Sequence, residues 1–167
     1  SQLNKSTISV ISLWTFLGSG IITSLLLYFK ALSYHIGNAS CFILNQCIAV
    51  NDNDYVSNIS FVDTKEGLVT EELGLLTMRY FYQYDCDYLA IDANGIGQAV
   101  LDSIMSDKYD PLYGVEYKAL TTINNDDLAM RCKVKDANKC VYAIKANAKL
   151  NNDMCLSLRS AFQNGYI

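Results

Sequence analysis

The chain has little charge and almost no proline or histidine. Charged residues make up 18% of its 167 positions, against 51% hydrophobic residues, and there is 1 Pro. A disordered polyelectrolyte and a proline-rich linker are excluded, because this much apolar material at this length builds a core of about one domain. With His35 as the only imidazole, the chain argues against a His-based zinc site, and a Cys–His nucleophilic pair would have to use His35. None of the six cysteines (Cys41, Cys47, Cys86, Cys132, Cys140 and Cys155) forms a Cys-x-x-Cys pair. Their spacing is irregular and a chain of this size does not need staples. They read as reduced, mostly buried thiols in a reducing compartment. The net charge of −4 argues against wholesale electrostatic binding of nucleic acid but leaves a local basic patch open.

Acids are missing from the start of the chain. None occurs before Asp52, and between Ser6 and Phe29 there is no charge at all. Ile8 to Phe29 (ISVISLWTFLGSGIITSLLLYF) has the length of a membrane-spanning helix and is bracketed by Lys5 and Lys30. Six hydroxyl residues, and Gly18 and Gly20 in its middle, speak against that. The alternation of Ile8, Val10, Ile11 and Leu13 with Ser9 and Ser12 fits a strand. Leu17–Gly20 would then turn the chain into a second strand over Ile21–Phe29. The expectation is a β-hairpin on a sheet edge. Composition divides the chain into residues 1–51, edge strands or a membrane-like run over 8–29, and residues 52–167, which hold all 17 acids and look like a soluble α/β domain.

Within 52–167 the pattern predicts a strand over Tyr55–Val62, a turn at Thr64–Gly67 and an amphipathic helix over 70–84. Thr70 would be its N-cap, with Glu71 and Glu72 in its first turn. A short central strand follows over Asp87–Ile91, then a turn at Asp92–Gly95 and a helix over Ile96–Met105. Further strands are expected over Gly114–Leu120 and Lys139–Ala146, and a helix over Asn152–Phe162. The β-α-β-α-β order predicts an α/β fold: a partly parallel, mixed sheet with flanking helices.

The element that carries chemistry is Tyr88-Leu-Ala-Ile-Asp92-Ala-Asn-Gly95-Ile-Gly97-Gln-Ala-Val-Leu-Asp102. An acid at the carboxyl end of a buried strand sits where open α/β sheets place ligands. Gly95 and Gly97 allow a tight turn and close backbone approach. A dinucleotide loop fails, because Gly-x-Gly-x-x-Val lacks the third glycine and Asp92 would repel a pyrophosphate. Two readings stay open: Asp92 caps the following helix, or it holds Mg²⁺ or Mn²⁺ for phosphodiester cleavage.

From about Asn53 onward the chain resembles the C-terminal nuclease domain of the large terminase subunit of tailed bacteriophages. The matching stretches are FVDTKEGLVTEELGLLTMRYFYQYDCDYLAIDANGIGQAVLDSI, YDPLYGVEYKAL, KCVYAIKAN and NNDMCLSLRSAFQNG. The specific parts are the strand, Asp-x-x-Gly-x-Gly, helix, Asp element and the Tyr-Asp-Pro…Gly-x-Glu-Tyr segment. The resemblance implies a ribonuclease H-like fold and a metal-dependent DNA endonuclease in the host cytoplasm. It also implies Mg²⁺ or Mn²⁺ as cofactor. Double-stranded phage DNA, an ATPase motor domain, the portal and the small terminase subunit would be its partners. Carried over by position, Asp92 is the catalytic, metal-holding acid, with Asp63 a minor metal-ligand candidate. Gly95 and Gly97 are the turn glycines, and Asp102 is structural.

The resemblance has departures. Its first-strand acid, expected on a strand before NKSTISVISL, has no counterpart, and its last acid would lie beyond Ile167. Residues Phe16 to Asn51 do not match. An internal fragment of the nuclease is therefore the expectation. A non-catalytic remnant and a small membrane-anchored binding module, with 8–29 as its span, are the alternatives.

Arg131, Lys133 and Lys135 alternate in a locally basic stretch with Lys139, Lys145 and Lys149. In an extended segment the first three would share one face and could contact DNA phosphates, against the ordinary fate of a solvated surface. Tyr80, Tyr82 and Tyr84 are expected to pack rather than to stack on bases. The Asn-x-Ser sequons at Asn4, Asn38 and Asn58 carry no weight in a chain this rich in Asn and Ser.

Overall fold

The computed structural model describes residues 7–15, 39–49, 55–145 and 147–165. Three strands open the fold: β1 (Thr7–Thr15), β2 (Ala39–Ala49) and β3 (Tyr55–Glu66), paired antiparallel in sequence. The helix α1 (Thr70–Gln83) then carries the chain to β4 (Tyr88–Asp92), which lies parallel to β1 on its other side. The helix α2 (Ile96–Ile104) leads into a separate two-stranded hairpin of β5 (Lys108–Asp110) and β6 (Val115–Tyr117). There follow β7 (Leu120–Thr122), the one-turn helix α3 (Asp126–Ala129), β8 (Asn138–Ile144) and the helix α4 (Ala148–Gln163). The main sheet has the order β3-β2-β1-β4-β8-β7, and β8 is parallel to both β4 and β7. The expected α/β class with a mixed sheet and flanking helices is what the chain forms.

One face of the sheet makes the core. Along β4, Leu89 and Ile91 are fully buried, as are Val141 on β8 and Phe42 on β2. They cluster with Leu73, Leu76, Met78 and Phe81 of α1 and Val100, Leu101 and Ile104 of α2. The spacing of those helix positions gives each helix one apolar stripe, which it buries against this face of the sheet. Tyr80 packs edge-on against Phe42 and Phe61, and Tyr82 stacks on Tyr117. The two helices meet at a small-residue contact. A Cβ placed on Gly74 would stand 2.4 Å from Oγ of Ser103.

Several expectations need correcting. β1 forms where a strand was expected, but it is interior, bonded to β2 and β4, not on an edge. The expected turn at Leu17–Gly20 and second strand over Ile21–Phe29 lie outside the described residues. Among the described residues no helix is long and apolar enough to cross a membrane. The division at 51/52 runs through a single sheet, since β1 and β2 pair with β3 and β4.

Other differences are local. Thr70 is the first helical residue. Val69 precedes it as N-cap, and its N–H is held by the Glu72 carboxylate at 3.1 Å. The single strand expected over Gly114–Leu120 is two strands in two sheets. Asp107 accepts the Ala119 N–H at 2.8 Å, which pulls the chain out of the hairpin and across to the main sheet. The last helix starts earlier than expected, at Ala148, because Asn147 caps it by accepting the Leu150 N–H at 2.9 Å. The free cysteines Cys41, Cys86 and Cys140 are buried, and no disulfide joins the described ones.

Candidate functional site at the carboxyl end of the central strand

Asp92 is the last residue of β4, a strand with parallel neighbours on both sides. Side chains alternate along a strand, so Asp92 shares a face with Tyr88 and Ala90, opposite Leu89 and Ile91 and away from α1 and α2. The ladder runs one residue further, with the Ala93 N–H donating to Ile144 O at 2.8 Å, and then the chain turns. Oδ1 of Asp92 accepts the Asn94 N–H at 3.2 Å. Gly95 takes φ 55° as the N-cap of α2, a conformation that suits glycine. The buried Gly97 donates its N–H to Asn94 O at 3.1 Å. Asp92 therefore caps the strand-to-helix turn rather than the helix itself. Its residue is 7% exposed. Burial pushes its carboxyl above the ordinary carboxylate range, opposed by the bonds from Asn94.

The structure does not bring the other candidates to Asp92. Asp63 lies on β3, three strands away, roughly 14 Å across the sheet at about 4.8 Å per strand. It is on the helix-covered face, where the Tyr80 hydroxyl donates to it and Lys65 Nζ lies at 2.9 Å. Burial, reinforced by that bond, pushes the Tyr80 hydroxyl far above its usual range. Asp102 is on α2 and pairs with Arg131. β1, which lies between β4 and β2, carries no carboxylate from Thr7 to Thr15. Among the described residues no group of three or more His, Cys, Asp or Glu is placed to hold a metal ion.

The basic stretch is not a strand. Arg131, Lys133 and Lys135 fall in the turns between α3 and β8, so the alternation that would align them does not apply. Arg131 is engaged by Asp102, and Lys133 Nζ donates to Met130 O at 3.3 Å. Lys135 is exposed.

Two arrangements escaped the sequence reading. The Tyr-Asp-Pro…Gly-x-Glu-Tyr segment is a clasp. Asp110 is fully buried and takes Arg79 Nε at 2.6 Å, Nη2 at 3.0 Å and the Tyr117 hydroxyl at 3.3 Å. It also accepts the Leu112 N–H at 2.9 Å, and Tyr113 covers the guanidinium at 5.2 Å. The Arg79 pair holds the Asp110 carboxyl below its ordinary range. Asp before Pro111 was the available signal for such a turn, and its long-range partner Arg79 had none. The second arrangement is a tyrosine pair on the Asp92 face, Tyr88 and Tyr142, with ring centroids 5.6 Å apart.

Comparison of the chain with protein-family models, curated proteins and solved structures gives no match in any of the three.

Proposed function

We propose that the chain is a ribonuclease H-like domain of the phage large-terminase kind, acting on DNA during genome packaging in the host cytoplasm. Asp92 is its strand-end carboxylate for Mg²⁺ or Mn²⁺. The observation that carries this reading is the strand order. An antiparallel β3-β2-β1 meander is continued by parallel β4 and β8, with Asp92 at the carboxyl end of β4 beside β1. That end of an open α/β sheet is where ligands gather.

A bound divalent ion would activate water and neutralise charge at the phosphodiester. The described residues do not fit that ion as they stand. Beside Asp92 they offer no second carboxylate, and one carboxylate alone holds a largely hydrated Mg²⁺ weakly. In this reading the other ligands come from outside the described residues, and the ATPase motor domain, portal, small terminase subunit and double-stranded DNA are the partners. A second reading, the same fold without cleavage, is favoured by one observation: β1 has no acid beside Asp92.

The test is nicking of supercoiled plasmid with Mn²⁺. The isolated chain is expected to cut weakly or not at all. The full subunit is expected to cut, and to stop cutting on Asp92→Asn with its fold intact. Cleavage by the full subunit that survives Asp92→Asn would overturn the role of Asp92. A full subunit that never cuts would leave the non-catalytic reading in place.

A further inference from the structure

The β5–β6 hairpin adds little to the core and turns its apolar side chains to solvent. Tyr109 is 65% exposed, Leu112 68%, Tyr113 58% and Val115 40%. Scattered singly, such residues are ordinary on a surface; gathered on one projection they mark an interaction site. The hairpin is also held stiffly. Lys108 and Asp110 face α1, where Lys108 Nζ lies 2.6 Å from Glu71 Oε2 and Asp110 takes the fork of Arg79. The tip is closed by the Gly114 N–H, which donates to Asp110 O at 2.8 Å with Gly114 at φ 66°. Tyr109 alternates to the outer face with its strand partner Glu116. Its hydroxyl lies 3.9 Å from where a Cβ on Gly114 would stand, so the ring lies along the hairpin toward the tip. Beside it, between the first turns of α1 and β5, is a groove of about 280 Å³ lined by Glu71, Glu72, Leu75, Lys108 and Tyr109. Leu75, Tyr109 and the tip thus form one patch.

Charge decides what fits the patch. Its cations are engaged: Lys108 and Arg79 lie mostly buried against Glu71 and Asp110, and Lys118 pairs with Asp107. Its acids face outward. The Glu71 side chain is 72% exposed, and Glu72 and Glu116 are exposed and in no ion pair among the described residues. A second copy meeting this patch across a two-fold axis would set Glu72 and Glu116 against acids of the same patch. Nucleic acid would be repelled by the same carboxylates. We infer that the β5–β6 hairpin is a docking knob for another protein, whose complementary surface is an apolar cleft rimmed by Lys or Arg. Tyr109, Leu112 and Tyr113 are the anchors, which gain by leaving water at the centre of the contact. The rim cations meet Glu72 and Glu116 and steer the approach. Arg79 and Asp110 are positioning residues: they fix the hairpin before the partner arrives, so little ordering remains to be done on docking. That role accounts for a carboxylate buried under a hairpin of which only Tyr117 packs against the core. Neither Asp92 nor DNA enters the inference, so it stands or falls apart from the nuclease reading.

The experiment is selection of a displayed random-peptide library on the full chain, followed by titration of the enriched peptides as synthetic probes. The enriched sequences should join aliphatic or aromatic residues to Lys or Arg. Leu112→Ser, at a solvent-facing position, should melt like the wild type and weaken binding of those peptides about tenfold or more, the loss of one buried anchor. Glu116→Lys should weaken the same peptides and move a repeated selection toward acidic sequences. Leu156→Ser, at another exposed apolar position, on α4, should leave binding unchanged. Sedimentation equilibrium should show a monomer over the concentrations of the titration. Peptides that bind Leu112→Ser as tightly as the wild type would overturn the inference, as would a selection that enriches no basic sequences. A wild-type dimer that Leu112→Ser dissociates would overturn it as well, by putting a second copy on the hairpin.

Discussion

A carboxylate that is 7% exposed, bonded by the backbone N–H and the side chain of Asn94 but otherwise desolvated, is an anion held at a cost to the fold. Because burial raises its folded-state value, Asp92 holds a proton to higher pH in the fold than in the unfolded chain. Its contribution is therefore favourable at low pH and is withdrawn as pH rises through the folded value. Asn at this position keeps the shape and can still accept the Asn94 N–H. Asp92→Asn is expected to raise the melting temperature at pH 7, with the gain shrinking as pH falls through the folded-state value. Melts at several pH values check this, and a variant less stable than wild type at pH 7 would remove the picture of a strained anion. At this scale the sequence was informative about Asp92, Gly95 and Gly97, whose roles depend on a strand end and a turn within six residues. It was uninformative about Asp63, whose engagement by Tyr80 and Lys65 depends on which face α1 covers.

At the scale of elements, the tightest joint is the crossing of α1 and α2 at Gly74 and Ser103. A methyl group on Gly74 would meet Ser103 Oγ at 2.4 Å and Cβ at 3.0 Å, so the helices must separate or Ser103 must leave its rotamer. Gly74→Ala gains helix propensity, yet the overlap is expected to outweigh it, destabilising by about 1–3 kcal/mol. Ser103→Gly in the same chain should recover most of that loss, and a denaturant titration of the two variants decides it. Both helices could be read from their apolar spacing, whereas nothing in the sequence marked Gly74, whose close partner Ser103 lies on the other helix. The segment Gly114–Leu120 shows the limit from the other side. Its residues have strand propensity throughout, and what breaks it in two is a bond from Ala119 to Asp107, twelve positions away.

At the scale of the molecule, the N-terminal third is where sequence reasoning stopped. An apolar run reads alike as a membrane helix, an edge hairpin or a strand bonded on both sides, because interior strands with parallel neighbours lose their polar alternation. Only the pairing of Val10 with Tyr88 and of Leu13 with Ile91 settles β1 as interior. A chain beginning at Asn53, where the terminase resemblance begins, would leave β4 without β1 and β3 without β2. Such a chain is expected to show no cooperative thermal transition by circular dichroism. A sharp melt would mean that 53–167 folds by itself and that β1 and β2 are additions to a complete domain.

The interior place of β1 also has a consequence in time. During synthesis β1 leaves the ribosome first and finds β2 and β3 soon after, but the partner for its other side, β4, follows only after α1 has been made. At roughly 5–20 residues per second, the nascent chain exposes an unpaired, apolar strand edge for seconds. That edge can pair with the same edge on a neighbouring polysome product, which is how nascent sheets aggregate. Slowing initiation or lowering growth temperature should therefore improve the yield of native protein more than any stabilising change made within β4 or β8.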